Sequence, residues 1–158
     1  NRVLHIWEYE DLNHRSKTRS QVVKDGIWPP PNSPILVNQQ VDIFFPAPFM
    51  PKFERNRNIG PIFELRLYKY PPGTIPLVID AWSKKIESRM TLCPPVGIWY
   101  SELGGVNQWA HMWAYESFEH RIEARKQFQS IGWPPDSSVS PVSMQNMIML
   151  AAKFSPIQ

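Results

Sequence analysis

Apolar and polar positions alternate with a period of two at several places in the second half of the chain, and between them the period becomes helical. Residues 107–115 put Asn107, Trp109, His111, Trp113 and Tyr115 on one face and Gln108, Ala110, Met112 and Ala114 on the other, which predicts a strand with two different faces. Residues 62–70 alternate Phe63, Leu65 and Leu67 against Glu64, Arg66 and Tyr68, a second strand. A third spans 96–103 and reaches Asn107 through Gly104-Gly105, a short hairpin turn. Thr74 stands where a helix cap belongs, with Pro76 in the first turn and Ile75, Val78, Ile79, Trp82 and Ile86 as the buried stripe. Ser117 caps a second helix in which Phe118, Ile122 and Phe128 recur near helical spacing through Ser130, with Gly132 close to the stop. Residues 144–154 supply a last extended segment. The order is β-α-β-β-α-β, the ferredoxin-like arrangement, whose strands lie in space as 4-1-3-2.

The pattern is duplicated. Residues 1–10 line up with 107–116: His5, Trp7 and Tyr9 fall on His111, Trp113 and Tyr115. His14-Arg15 then matches His120-Arg121, Arg19 matches Arg125, Trp28-Pro29-Pro30 matches Trp133-Pro134-Pro135, and Ser33-Pro34 matches Ser140-Pro141. One order kept over roughly forty residues is not a composition artefact. The first copy, with Asp11 as its helix cap and 37–45 as its second extended segment, contains only the last strand-helix-strand of the module. Those two strands flank a central strand in the complete unit, so the gap between them predicts a missing strand, supplied upstream of Asn1 or by another chain. The expected organisation is a partial module over 1–45, a proline-rich linker over 46–61 and a complete module over 62–158, an α+β chain.

Composition narrows the class. In 158 residues, 42% hydrophobic and 20% charged, a globular core is expected. A net charge of +3 without a basic run disfavours nucleic acid. No apolar run is long enough for a membrane-spanning helix, and the lone Cys93 excludes an internal disulfide. The 17 prolines cluster between the periodic segments and mark loops.

Phe63-Glu64-Leu65-Arg66-Leu67-Tyr68 followed by Pro72-Gly73-Thr74, His111-x-Trp113-x-Tyr115 followed by Arg121 and Arg125, and the ending from Met149 to Gln158 resemble the signatures of the NIPSNAP family. Leu67 replaces the family's usual Thr, and Pro72 lacks the preceding Lys. The resemblance implies tandem dimeric α/β-barrel modules, a mitochondrial association with quality-control or vesicle-traffic roles, and no agreed reaction.

For chemistry, the repeated His-Trp-Tyr faces are the sharpest candidates. If the helices cover the Leu4/Ile6 and Ala110/Met112 faces, then His5, Trp7, Tyr9, Asn107, Trp109, His111, Trp113 and Tyr115 line a chamber between two sheets. Glu64, Arg66 and Tyr68 share that chamber, with a Glu64–Arg66 pair to orient a polar ligand. The plainer use of these rings is to fill the core, each histidine hydrogen-bonded within it. Arg15/Arg19 and Arg121/Arg125, four apart on one helical face, suit an acidic partner or anion, or simply a solvated face paired with Glu119 or Glu123. No metal-ligand set, phosphate loop or Ser/His/Asp constellation is present, and no cofactor is expected. Cys93 and the Trp-Pro-Pro turns read as structural. The expected function is a binding or adaptor protein with protein partners, a small hydrophobic or aromatic ligand, and a homo-oligomeric or paired-module state. The alternative is a cofactor-independent monooxygenase-like enzyme using the cavity, with Asn107, Trp109, His111 and Trp113 as its residues.

Overall fold

In the computed structural model, which describes residues 2–29 and 36–158, the chain divides into two units, Asn1–Gln40 and Val41–Gln158. The repeat matches at Asn1, Pro30, Ser33 and Pro34 lie outside the described residues.

Among its described residues the first unit holds one helix, α1 (Leu12–Lys24). Asp11 caps it by accepting a hydrogen bond from the His14 amide at 2.7 Å, which satisfies one of the amides a helix start leaves unpaired. Gly26, at φ 68°, follows its C-terminus. Residues 2–9, expected as a strand, form no ladder. The alternation is there, but a strand needs a neighbour for its amides, and among the described residues this segment has none.

The second unit is built on a five-stranded antiparallel sheet of order β1-β3-β4-β2-β5, from β1 (Ile43–Pro46), β2 (Ile62–Lys69), β3 (Pro95–Leu103), β4 (Gln108–Tyr115) and β5 (Ser143–Leu150). Without β1 this is the 4-1-3-2 order of the ferredoxin-like βαββαβ fold. β1 adds itself to the free edge of β3, with Phe44 opposite Ser101 and Phe45 opposite Tyr100. Of the 37–45 segment assigned to the first module, only 43–45 is strand, and it belongs to this sheet because β3 offers it an edge. The 46–61 connection is ordered against the same unit. Ala47 donates to the Ile98 carbonyl, and the amides of Ile59 and Gly60 donate to the Gln158 carbonyl. Gly60 has φ 123°, and an added Cβ would meet the Tyr115 carbonyl at 2.5 Å, so only glycine fits there.

Between β2 and β3 the expected helix is two, α2 (Ile75–Ser83) and α3 (Ile86–Leu92), broken at Lys84-Lys85. α4 (Phe118–Ser130) follows β4, capped by Ser117 as expected. Its buried residues are Ala124 and Phe128, while Phe118 and Ile122 are about half exposed. The periodicity was correct for a helix, but the stripe that meets the sheet is rotated from the one its largest apolar residues suggest.

The helices cover the opposite sheet face from the one expected. Trp82 of α2 packs on Trp109 and His111 at ring separations of 5.0 and 4.8 Å. The His-Trp-Tyr face of β4 and the Glu64/Arg66/Tyr68 face of β2 therefore lie under the helices. The rings offer far more apolar area to a helix than Ala110 and Ala114 do. Ile75, Val78, Trp82, Ile86, Phe128, Trp109 and Trp113 form the core of that layer. The other face gathers Phe63, Leu65, Val96, Met112 and Ala114 in a second cluster, with Ile59 and Ile157 packed against it.

Candidate functional site

A cavity of about 370 Å³ opens between the helix-covered sheet face, α4 and the α4–β5 connection. The strands place its floor by register: Glu64 pairs with Trp113 and Arg66 with His111. Residues directly opposite on one face of an antiparallel pair have neighbouring side chains. Trp82, Trp133 and Phe128 supply apolar walls, and Arg125 and Gln129 stand exposed at the rim. A second hollow of about 210 Å³ shares Arg66, Tyr68 and Met144 with it.

Its one carboxylate is already engaged. Glu64, 1% exposed, accepts two hydrogen bonds from Arg121, at 2.7 and 2.9 Å, and one from Asn146 at 3.3 Å. Arg66 Nε lies 3.4 Å from Glu64 Oε1. Burial alone would push this carboxyl up, but the Arg121 hydrogen bonds and the Arg66 charge outweigh it and hold Glu64 below the ordinary carboxylate range. The expected Glu64–Arg66 pair is present; the stronger bidentate partner, Arg121, comes from a helix 57 residues away and was expected to face solvent or a partner.

His111 is 3% exposed. Its Nδ1 accepts the Trp113 indole N–H at 2.6 Å, so in the neutral ring the proton sits on Nε2, which has no partner. Burial first, then the charges of Arg66 and Arg89, hold its pKa well below 6.5. Burial likewise pushes Tyr70 and Tyr115 up to about 12, which keeps both phenols protonated at neutral pH.

Arg89 was not foreseen. It is 2% exposed, sandwiched between the Trp113 ring at 3.6 Å and the Phe128 ring at 3.3 Å, and it donates to the Cys93 carbonyl. Among the described residues no carboxylate lies within ion-pair distance of it. Nothing in its short helix marks it, since the aromatic sandwich comes from residues distant in sequence. Trp82, Trp133 and Tyr70 also line the cavity without having been singled out for it; only the match of Trp133 to Trp28 in the repeat drew attention to that turn.

Of the expected residues, the structure brings Glu64, Arg66, Tyr68, His111, Trp113, Tyr115 and Arg125 to one cavity. Trp109 is fully buried in the core beside it. Asn107 sits in the hairpin turn at φ 58° and off the strand face, its carbonyl accepting from the Tyr70 amide. In the first unit His5 and Trp7 are exposed, Tyr9 is half-buried, and Arg15 and Arg19 are half-buried. His5, Trp7 and Tyr9 were expected inside a chamber, and without a ladder their segment has no sheet face to present. Glu123 pairs with Lys126 and not with an arginine. Cys93 is buried, its thiol donating to the Ala114 carbonyl, and burial pushes its pKa up. Among the described residues no group of three or more metal-ligating side chains occurs, and none of their helices is long and apolar enough to cross a membrane.

The fold and site define a ferredoxin-like α+β module with a polar-floored, ring-walled cavity beneath its helices. The NIPSNAP family model matches residues 1–51 and 63–156, so the chain belongs to the NIPSNAP family. Among its relatives, Protein NipSnap homolog 3A of Homo sapiens is 28% identical over 168 aligned residues, covering 100% of this chain and 67% of that protein. The Dictyostelium discoideum NipSnap homolog is 30% identical, over 79% of this chain and 56% of its own length. Among solved structures, a NIPSNAP family protein from Agrobacterium tumefaciens is similar with a TM-score of 0.54 at 28% identity, covering 60% of this chain and 96% of its own. A NIPSNAP-like domain protein from Burkholderia xenovorans has a TM-score of 0.53 at 27% identity, over 63% of this chain and 91% of its own.

Proposed function

We propose that this chain is a mitochondria-associated binding or adaptor protein that holds a small hydrophobic or aromatic ligand in the cavity and engages protein partners, as a homo-oligomer or as paired modules. The mitochondrial address, and with it a quality-control or vesicle-traffic role, follows from the family resemblance. The observation that carries the binding reading is that the cavity's carboxylate and its imidazole are both already engaged by neighbouring side chains. Glu64 is held as a carboxylate by Arg121 and Arg66, and His111 is held neutral with its lone pair already taken by Trp113. A general acid or base works best with a pKa near the operating pH; these two groups are displaced to either side of that role and serve better as fixed recognition elements. The second reading, a cofactor-independent monooxygenase-like enzyme, draws on the buried His111–Trp113 pair against a ring-walled cavity. Oxygen consumption with a panel of aromatic and quinol substrates, in wild type and His111→Ala, separates the two. Turnover lost in the variant overturns the binding reading; saturable ligand or partner binding without turnover supports it.

A further inference from the structure

We infer that the cavity selects a flat aromatic ligand bearing a carboxylate. The inference rests on the binding reading above and deepens it. Two buried donors of the lining residues, Arg89 Nε and His111 Nε2, lack a hydrogen-bond partner, and a third, Arg66 Nε, has only the Glu64 carboxylate at 3.4 Å. A buried donor without an acceptor carries the penalty of its lost hydration, so this lining is rich in donors and short of acceptors.

Geometry narrows the occupant further. Arg66 and His111 are direct partners on neighbouring strands, their side chains on one face, which sets the Arg66 cation beside an uncharged imidazole at the cavity floor. Charge points the same way. Arg66, Arg89 and Arg125 line the cavity against Glu64 alone, and Glu64 is shared among Arg121, Asn146 and Arg66. A cationic ligand would meet three arginines and an occupied carboxylate. An anion would complete the charge balance, and the exposed Arg125 at the rim would attract it. The remainder of the occupant is set by Trp82, Trp133 and Tyr68, whose ring surfaces suit a flat apolar body. At about 370 Å³ the volume lies near the lower end of the roughly 300–1,000 Å³ range of small-ligand sites, which favours one or two fused rings.

The test titrates the whole chain with 2-naphthoate, its neutral amide 2-naphthamide, and the cation 2-naphthylmethylammonium, read by tryptophan fluorescence and calorimetry. The expected result is 2-naphthoate binding at least about tenfold more tightly than the amide, with the ammonium weakest. Arg66→Gln, at a side chain that reaches solvent, should bring the acid to the affinity of the amide and leave the amide unchanged. The comparison among the three probes in the wild type decides the matter even where that variant folds poorly. If the amide or the ammonium binds as tightly as the acid, selection by charge is overturned while the cavity-binding reading stands. If none of the three binds, both fall.

Discussion

In the first copy of the repeat Asp11 accepts from the His14 amide, and the Glu10 amide donates to His14 Nδ1 at 3.2 Å; in the second, Ser117 accepts from the His120 amide and the Glu116 amide donates to His120 Nδ1 at 3.2 Å. Tyr9 stands edge-on to His14 at 5.9 Å and Tyr115 to His120 at 6.0 Å. Gly26 and Gly132 both take φ 68°. These features depend on residues within a few positions of one another, and both copies reproduce them. Upstream of the cap the copies part. Residues 109–115 are buried between β2 and β3, whereas 2–9 carry the same alternation with no neighbour among the described residues and, apart from the half-buried Tyr9, stay exposed. Caps and turns are local properties of a sequence; a strand is a property of two segments.

The comparison breaks most visibly at the matched tryptophans. Trp113→Ala is expected to cost about 3–5 kcal/mol in urea unfolding, and Trp7→Ala to stay within about 0.5 kcal/mol. Equal losses would show that the first copy is packed after all. The matched arginines follow. Arg121→Gln strips Glu64 of its bidentate partner and should cost roughly 2 kcal/mol, at the low side for a broken buried pair because Arg121 reaches solvent and Arg66 remains; Arg15→Gln should cost less than about 0.5 kcal/mol.

Acid should weaken the second unit in two windows. The folded pKa of His111 lies well below 6.5, so the unfolded chain binds a proton that the folded one refuses, and stability falls as pH drops from 6.5 towards the folded value. Glu64, held below 4.5, adds a second loss of the same sign as pH falls from 4.5 through its folded value. Each group contributes a slope of at most about 1.4 kcal/mol per pH unit. Unfolding curves between pH 7 and pH 3 test this, and His111→Asn should remove the upper limb. The smallest effect sharpens the likeness between the copies. Asp11→Ala and Ser117→Ala should each cost about 1 kcal/mol of local helix stability, read by hydrogen exchange in α1 and α4, and should be nearly equal because each cap acts within its own first turn.

What the chain revealed beforehand follows the same division. β2, β4, the hairpin and the Ser117 cap were legible because alternation and capping residues are local signals. The sheet order followed once four strands and two helices were in place. Alternation also identified the two faces of β4, yet it carried no information about which one the helices would cover. That choice rests on the summed ring area of Trp109, Trp113 and Trp82. The Arg121–Glu64 bridge and the aromatic sandwich around Arg89 escaped for a related reason: each joins segments far apart in the chain, and no spacing encodes them. The break at Lys84-Lys85 has no Gly or Pro to announce it.

The strand borrowed by β3 has a consequence for how the molecule meets its neighbours. β1 is four residues long and ends in Pro46, which cannot donate an amide, so that rim of the sheet is blunted against further growth. The opposite rim, β5, runs for eight residues and, among the described residues, pairs only inward, with β2. A sheet with one blunted and one receptive rim has a single valence. Were a second copy to add its own β5 there, backbone pairing would stop at two and would not propagate into a fibre.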